Sequence, residues 1–268
     1  MRYQSRPVDS GQTEIHSQLL SVLEVHLQTE YRKPISVQSH ALFASVEKLQ
    51  TKLHKPIILD SGCGTGAATF ELARHHREAL VIGVDKSSHR LALGGMRGEI
   101  QLEDNCLLVR MNLVDFWRLA LRRGWRLEKH YLLYPNPWPK AKHLRRRWYG
   151  HPVFPQILDL GGKLELRCNW RVYAEEFQAA MDYVLPGICD LRKIKVETGL
   201  SLFEQKYTAS GHTLYQCSCS LDAWNGRPRQ TPPLMPSDHP YRDNPAEILQ
   251  RLHQRRRHVI RRLIPMCF

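Results

Sequence analysis

Apolar positions fall into two regimes along the chain. Up to residue 54 they recur at helical spacing. Leu19, Leu20, Leu23 and Leu27 share one face, and Phe43, Val46 and Leu49 mark a second, short helix. From Pro56 onward short runs rich in Ile, Leu and Val take over, at 57–59, 80–84, 107–109, 131–134 and 164–168. Helix-length segments at 67–76, 87–97, 114–122, 153–160 and 172–184 separate them. Strands alternating with helices predict an α/β domain, a mostly parallel sheet with helices on both faces. Further strands are predicted at 191–197 and 213–221, for about seven where a plain dinucleotide fold has about six.

After Leu221 the pattern stops. Prolines 228, 232, 233, 236, 240 and 245 and few apolar residues predict an extended linker. Beyond it Ile248, Leu252, Val259 and Leu263 can line one face of an arginine-rich helix. Three regions follow: a helical arm over 1–54, a core domain over 55–221, and a Pro-rich linker with a basic helix over 222–268.

Charge changes this picture more than composition does. The formal net charge is +13 over 268 residues. Lys and Arg at 118, 122, 123, 126, 129, 140, 142, 145, 146 and 147 stand against Glu128 alone, and arginines 251, 255, 256, 257, 261 and 262 against Glu247. The rest of the chain is near neutral. Cations gathered in two stretches are the footprint of a polyanion, since each phosphate they neutralise releases a counterion. The partner expected is therefore nucleic acid, with a solvated charged face as the plainer alternative. No run of apolar residues is long enough to span a bilayer, and the polar start carries no secretory signal, so a cytoplasmic protein without a membrane partner is expected. The seven cysteines (63, 106, 168, 189, 217, 219 and 267) form no CxxC pair, so neither a disulfide framework nor a bound metal is expected; Cys217 and Cys219 read as packing residues on one strand face.

The run 57–60 enters Asp60-Ser-Gly62-Cys-Gly64-Thr-Gly66 and then a helix. Glycines permit positive φ and close approach of a ligand, and the helix start offers free N–H groups. Asp85 ends the next strand, where a carboxylate can accept from both ribose hydroxyls of an adenosine. Acid-x-Gly-x-Gly-x-Gly resembles the first motif of class I S-adenosylmethionine (SAM)-dependent methyltransferases more than the GxGxxG pyrophosphate cradle. The resemblance implies a Rossmann-like methyltransferase fold, SAM as cofactor, Asp60, Gly62, Gly64, Gly66 and Asp85 around it, and Asn112 near the adenine.

The fourth run ends in Tyr134-Pro-Asn136-Pro-Trp138-Pro-Lys140, with Lys142, His143, Arg145, Arg146 and Arg147 close behind. Three prolines stiffen this loop and Trp138 offers a flat surface to a base. The segment resembles the Pro-Asp-Pro-Trp-x-Lys-x-x-His-x-x-Arg-Arg signature of the bacterial tRNA (guanine-N7)-methyltransferase (TrmB) family. Gly161-Gly162, Cys168-Asn169-Trp170, Tyr173-Ala174 and Ser201-Leu-Phe-Glu204-Gln-Lys206 match further family segments in order, so that the likeness spans about residues 57–220.

The resemblance implies a SAM-dependent methyltransferase acting on tRNA or another structured RNA, by default at guanine N7. It places Asn136, Asn169 and Glu204 at the reacting base, and Trp138, Lys140, Arg145, Arg146 and Ser201 against the RNA. By resemblance, Asn136 and Asn169 occupy positions where the family carries aspartate. Asn136-Pro-Trp also resembles the Asn-Pro-Pro-aromatic loop of enzymes that methylate exocyclic base amines. Two other readings therefore stand beside the first: a different acceptor atom, and a SAM- and RNA-binding chain that has lost catalysis.

Overall fold

The computed structural model describes residues 5–197 and 199–226. The basic helix expected beyond residue 245 lies outside the described residues.

The N-terminal arm holds α1 (Leu19–Gln28) and α2 (Val37–Leu53). Ser36 starts α2 by accepting from the Ser39 N–H, and His54 ends it in the left-handed region. α2 is longer than the short helix expected, since the polar residues between Val37 and Leu53 lie on its solvent face. Both helices pack on the domain. Leu19, Leu23, Leu27, Phe43 and Val46 belong to the same core as the sheet. Phe43 meets Phe116 edge-on, with ring centroids 5.3 Å apart, and Trp125 at 5.0 Å; truncating such a residue costs about 3–5 kcal/mol.

Among the described residues, eight strands form one sheet in the order β3-β4-β2-β1-β5-β6-β8-β7. They are β1 (Ile57–Ser61), β2 (Leu80–Asp85), β3 (Ile100–Glu103), β4 (Cys106–Arg110), β5 (Lys129–Leu133), β6 (Lys163–Cys168), β7 (Cys189–Ile194) and β8 (Leu214–Ser220). β4, β2, β1, β5 and β6 run parallel, while β3 pairs antiparallel with β4, and β8 antiparallel with both β6 and β7. The central strands are buried on both faces, which is why they read as unbroken apolar runs.

The eighth strand, β3, was not expected. It is four residues long, half exposed, and joined to β4 by a two-residue turn with Asp104 at φ 51°. So short an edge strand leaves too few alternations for periodicity to register. One face of the sheet carries α3 (Ala67–His75) and α4 (Ser88–Leu93); the other carries α5 (Leu113–Arg122), α6 (Phe154–Asp159), α7 (Arg171–Val184) and the arm. Cys217 and Cys219 point into the core on one face of β8. α8 (Leu202–Ala209) precedes β8. Beyond β8, Leu221 and Trp224 remain buried, with Trp224 Nε1 donating to Asp159 at 2.9 Å.

Candidate functional site

Strand order reverses at β1, whose neighbours are β2 and β5, so the crevice beyond the carboxyl ends of β1 and β5 is the switch point where such sheets bind ligands. The glycine turn leaves β1 there. Gly62, Gly64 and Gly66 adopt φ of 81°, 63° and 84°. A Cβ added to Gly62 or Gly64 would project into open space, while one on Gly66 would come within 2.9 Å of Leu108. The first two glycines thus let a ligand approach the backbone, and the third lets α3 sit close on the sheet.

Two carboxylates shape this turn. Asp60, 1% exposed, accepts from the Thr69 hydroxyl at 2.7 Å, and its burial, with Asp85 nearby, pushes its pKa up to about 7. Asp85 ends β2 as expected, but its oxygens already serve the chain. Oδ2 accepts from the Gly64 N–H at 3.0 Å, and Oδ1 accepts from the Ser87 N–H at 2.8 Å and from Arg90 at 2.9 Å. Ribose hydroxyls arriving here must share those oxygens with Arg90, whose side chain is 43% exposed. Asn112 caps α5, its side-chain oxygen accepting from the Val114 and Asp115 N–H groups. Its amide NH2 remains at the end of β4.

The loop after β5 is held in a strained shape. Tyr134 and Trp138 lie at φ 50° and 47°, a region that costs residues with side chains on the order of 1–3 kcal/mol. Asn136 is exposed and accepts from the Trp138 N–H at 3.3 Å, turning the chain. The Trp138 carbonyl accepts from Arg147 at 3.1 and 3.3 Å. Arg147 is fully buried, paired with Glu176 and bonded to Gln12 at 2.9 Å. The Arg146 guanidinium lies over the Trp138 ring, 4.7 Å from its centroid, while Lys140, Lys142, Arg145 and Arg146 face solvent. One stretch of cations thus divides into an exposed row and a buried brace.

Asn169 follows β6. Its amide donates to His212 Nδ1 at 3.0 Å, and His212 Nε2 in turn donates to the Ser5 carbonyl at 2.9 Å. The extended start of the arm crosses this end of the sheet. Ser10 donates to the Pro139 carbonyl at 2.6 Å, and the His16 N–H reaches Glu176 at 2.8 Å. Ser201 and Glu204 do not open onto the crevice. Ser201 caps α8 by accepting from the Glu204 N–H at 3.1 Å. Glu204 is fully buried, accepting from Tyr134 at 2.7 Å, Arg167 at 2.9 Å and the Leu200 N–H at 2.6 Å. Burial, and then this carboxylate, drive the Tyr134 phenol far above its ordinary pKa, so the contact fixes the root of the Trp138 loop.

The structure therefore places Asp60, the glycine turn, Asp85 and Asn112 at or just beyond the carboxyl ends of β1, β2 and β4, and Asn136, Trp138 and Asn169 beyond those of β5 and β6, with Lys140, Arg145 and Arg146 exposed on the stretch that follows the loop. The bracing roles of Arg147 and His212, and the parts played by Glu176 and Gln12, are not read from the sequence. The signal for Arg147 is that it stands at the last arginine of the His-x-x-Arg-Arg part of the signature, counted from His143, and directly before an aromatic pair, Trp148-Tyr149, whose second ring is buried.

Residues 54–217 match a family model described as "Putative methyltransferase". A tRNA (guanine-N(7)-)-methyltransferase of Photobacterium profundum is 30% identical over 136 residues, covering 49% of this chain and 54% of that one. One from Nitrosomonas europaea is 28% identical over 170 residues, 59% of this chain and 73% of its own. The chain spans about half the length of several of the curated relatives it matches. Among solved structures, the 16S rRNA methyltransferase KamB overlaps 71% of this chain and 96% of its own, at a TM-score of 0.47 and 16% identity.

Proposed function

This chain belongs to the methyltransferase family whose model matches residues 54–217, and from that premise we propose that it moves the methyl group of SAM onto RNA, with tRNA as substrate and guanine N7 as acceptor. The observation that carries this reading is the pairing of β1 with β5, which sets the open glycine turn beside the rigid Trp138 loop. Relatives named as tRNA (guanine-N(7)-)-methyltransferases support the choice of substrate.

The residues present fit SAM. Gly62 and Gly64 leave room for its methionine part, and Asp85 can accept from its ribose hydroxyls once Arg90 moves aside. Asn112 stands at the adenine end. Bound there, SAM supplies a methyl group already activated by its sulfonium.

Guanine N7 carries a free lone pair, so transfer needs no base to remove a proton, and the chain's task is positioning and electrostatics. Trp138, stiffened by its prolines and by Arg147, offers a face to the base. Lys140, Arg145 and Arg146 hold phosphates around it. The side-chain carbonyls of Asn136 and Asn169 are acceptors that can settle the positive charge growing on the purine. Glu204 acts on the site through Tyr134.

Incubation of the purified chain with methyl-labelled SAM, bulk tRNA lacking 7-methylguanine and an equal mass of unstructured RNA tests the proposal. Label is expected in the tRNA; no label in either RNA, with SAM bound, would overturn it.

A further inference from the structure

α8 carries its apolar residues on the outside. Leu202 is 53% exposed and Phe203 43%, two of the five large apolar side chains so exposed among the described residues. A single exposed apolar residue is ordinary on a protein surface, but Phe203 is the end of a column. It stacks on Tyr207, one helical turn on, with centroids 6.0 Å apart and planes 26° apart. Tyr207 stacks in turn on His212 at 5.2 Å and 17°. Tyr134, at the root of the Trp138 loop, leans on Tyr207 at 5.4 Å. The far end of the column is tied down, since His212 is bonded to Asn169 and to Ser5.

Three near-parallel rings therefore run from the candidate acceptor site out to solvent, ending in Phe203. Lys206 stands exposed one turn from Phe203 on the same helix. An aromatic face with a cation beside it, continuous with a site that takes a base, matches the chemistry of an unpaired nucleotide: a flat π-surface joined to a phosphate.

We propose that Phe203 is a base-stacking site, on which an unpaired nucleobase neighbouring the target packs, with Lys206 on its phosphate. This deepens the RNA methyltransferase reading and rests on it for the occupant's identity. It implies a target flanked by a base free to leave its own stack, so single-stranded or looped RNA is taken in preference to a continuous duplex.

The test measures binding of the full chain, by fluorescence anisotropy, to a labelled single-stranded oligoribonucleotide of mixed sequence and to the same sequence as a duplex. Phe203→Ala should weaken binding to the single strand by about tenfold or more while leaving duplex binding unchanged. Phe203→Trp should retain it. Because stacking displaces no counterions, the salt slope of Phe203→Ala should equal that of the parent, whereas Lys206→Ala should flatten it. Phe203→Leu, which keeps an apolar contact with Tyr207, covers the case in which alanine unsettles α8, and should lose affinity as alanine does. Unchanged single-strand affinity in both variants, an equal loss on the duplex, or an equal loss from Leu202→Ala would overturn the proposal. A Phe203-dependent affinity without methyl transfer to any RNA would support the stack and contradict the activity, so the two fail separately.

Discussion

Asn169 donates its side-chain amide to His212 Nδ1, 3.0 Å away, and the tautomer that accepts it follows from His212 Nε2 donating to the Ser5 carbonyl. An aspartate at 169 can only accept, so keeping the contact would require a proton on His212 Nδ1 as well as on Nε2; the asparagine suits the ring as it is held here. At 136 the side chain need only accept from the Trp138 N–H, which an aspartate does equally well. The two positions should therefore respond differently. Asn136→Asp should raise N7-guanine transfer, by up to about a hundredfold if the new charge faces the purine, with folding unchanged. Asn169→Asp alone should loosen the contact with His212 and add less. Transfer rates for the two single variants and the double variant check this. No gain from Asn136→Asp would turn attention to another acceptor atom, such as an exocyclic amine.

Arg147 and Glu176 are a fully buried ion pair that holds the Trp138 carbonyl. Arg147→Met leaves Glu176 without its cation and should cost about 3–5 kcal/mol of stability. Adding Glu176→Gln removes the stranded charge and should return much of that loss. Neither variant holds the Trp138 loop, so methyl transfer should stay low in both. Urea denaturation and turnover, measured on the same samples, separate the effects; a double variant that regained activity would show that the brace does not position the loop.

How much of this was legible beforehand depends on how local the cause is. The unbroken apolar runs of β1 and β2 and the glycine turn between β1 and α3 carry their own signals, because burial on both faces and positive φ each select few residue types. The exposed cations were legible as charge. Their division was not, because the burial of Arg147 depends on Glu176 and Gln12, distant in sequence and brought near by α7 and the arm. α8 carries a local signal of its own. Ser201 and Glu204 have the spacing of a helix capping box, and the resemblance drew them instead toward the substrate. Asp85 stands where the sequence placed it, but its engagement with Arg90 and Gly64 is visible only in three dimensions.

Asp60 makes stability depend on pH. Its carboxyl is raised by burial from 3.8 to about 7, so the folded state holds a proton that the unfolded chain has released. The favourable contribution is complete below the unfolded pKa and is lost as pH rises through about 7. The penalty at higher pH is on the order of 4 kcal/mol at most. Asp60→Asn, which can still accept from Thr69, should flatten this fall. Thermal unfolding of the cofactor-free chain at pH 5.5 and 8.5 should show a smaller difference for the variant; equal differences would place the titration elsewhere.

The arginines at 251, 255, 256, 257, 261 and 262 lie outside the described residues but carry much of the net charge. Replacing all six with glutamine in the full chain should weaken tRNA binding and make it less salt-dependent, by about one unit of log–log slope for each phosphate that is no longer neutralised. Unchanged slope would confine the RNA contact to the folded domain and its exposed row at Lys140, Lys142, Arg145 and Arg146.

The most direct measurement is the position of the methyl group. tRNA lacking 7-methylguanine, labelled by the purified chain, is digested to nucleosides and the labelled nucleoside identified by chromatography against standards. The proposed function predicts label in 7-methylguanosine, abolished by Asp85→Ala and reduced by Trp138→Ala. Label in a different nucleoside, or none from a chain that binds both SAM and tRNA, would contradict it.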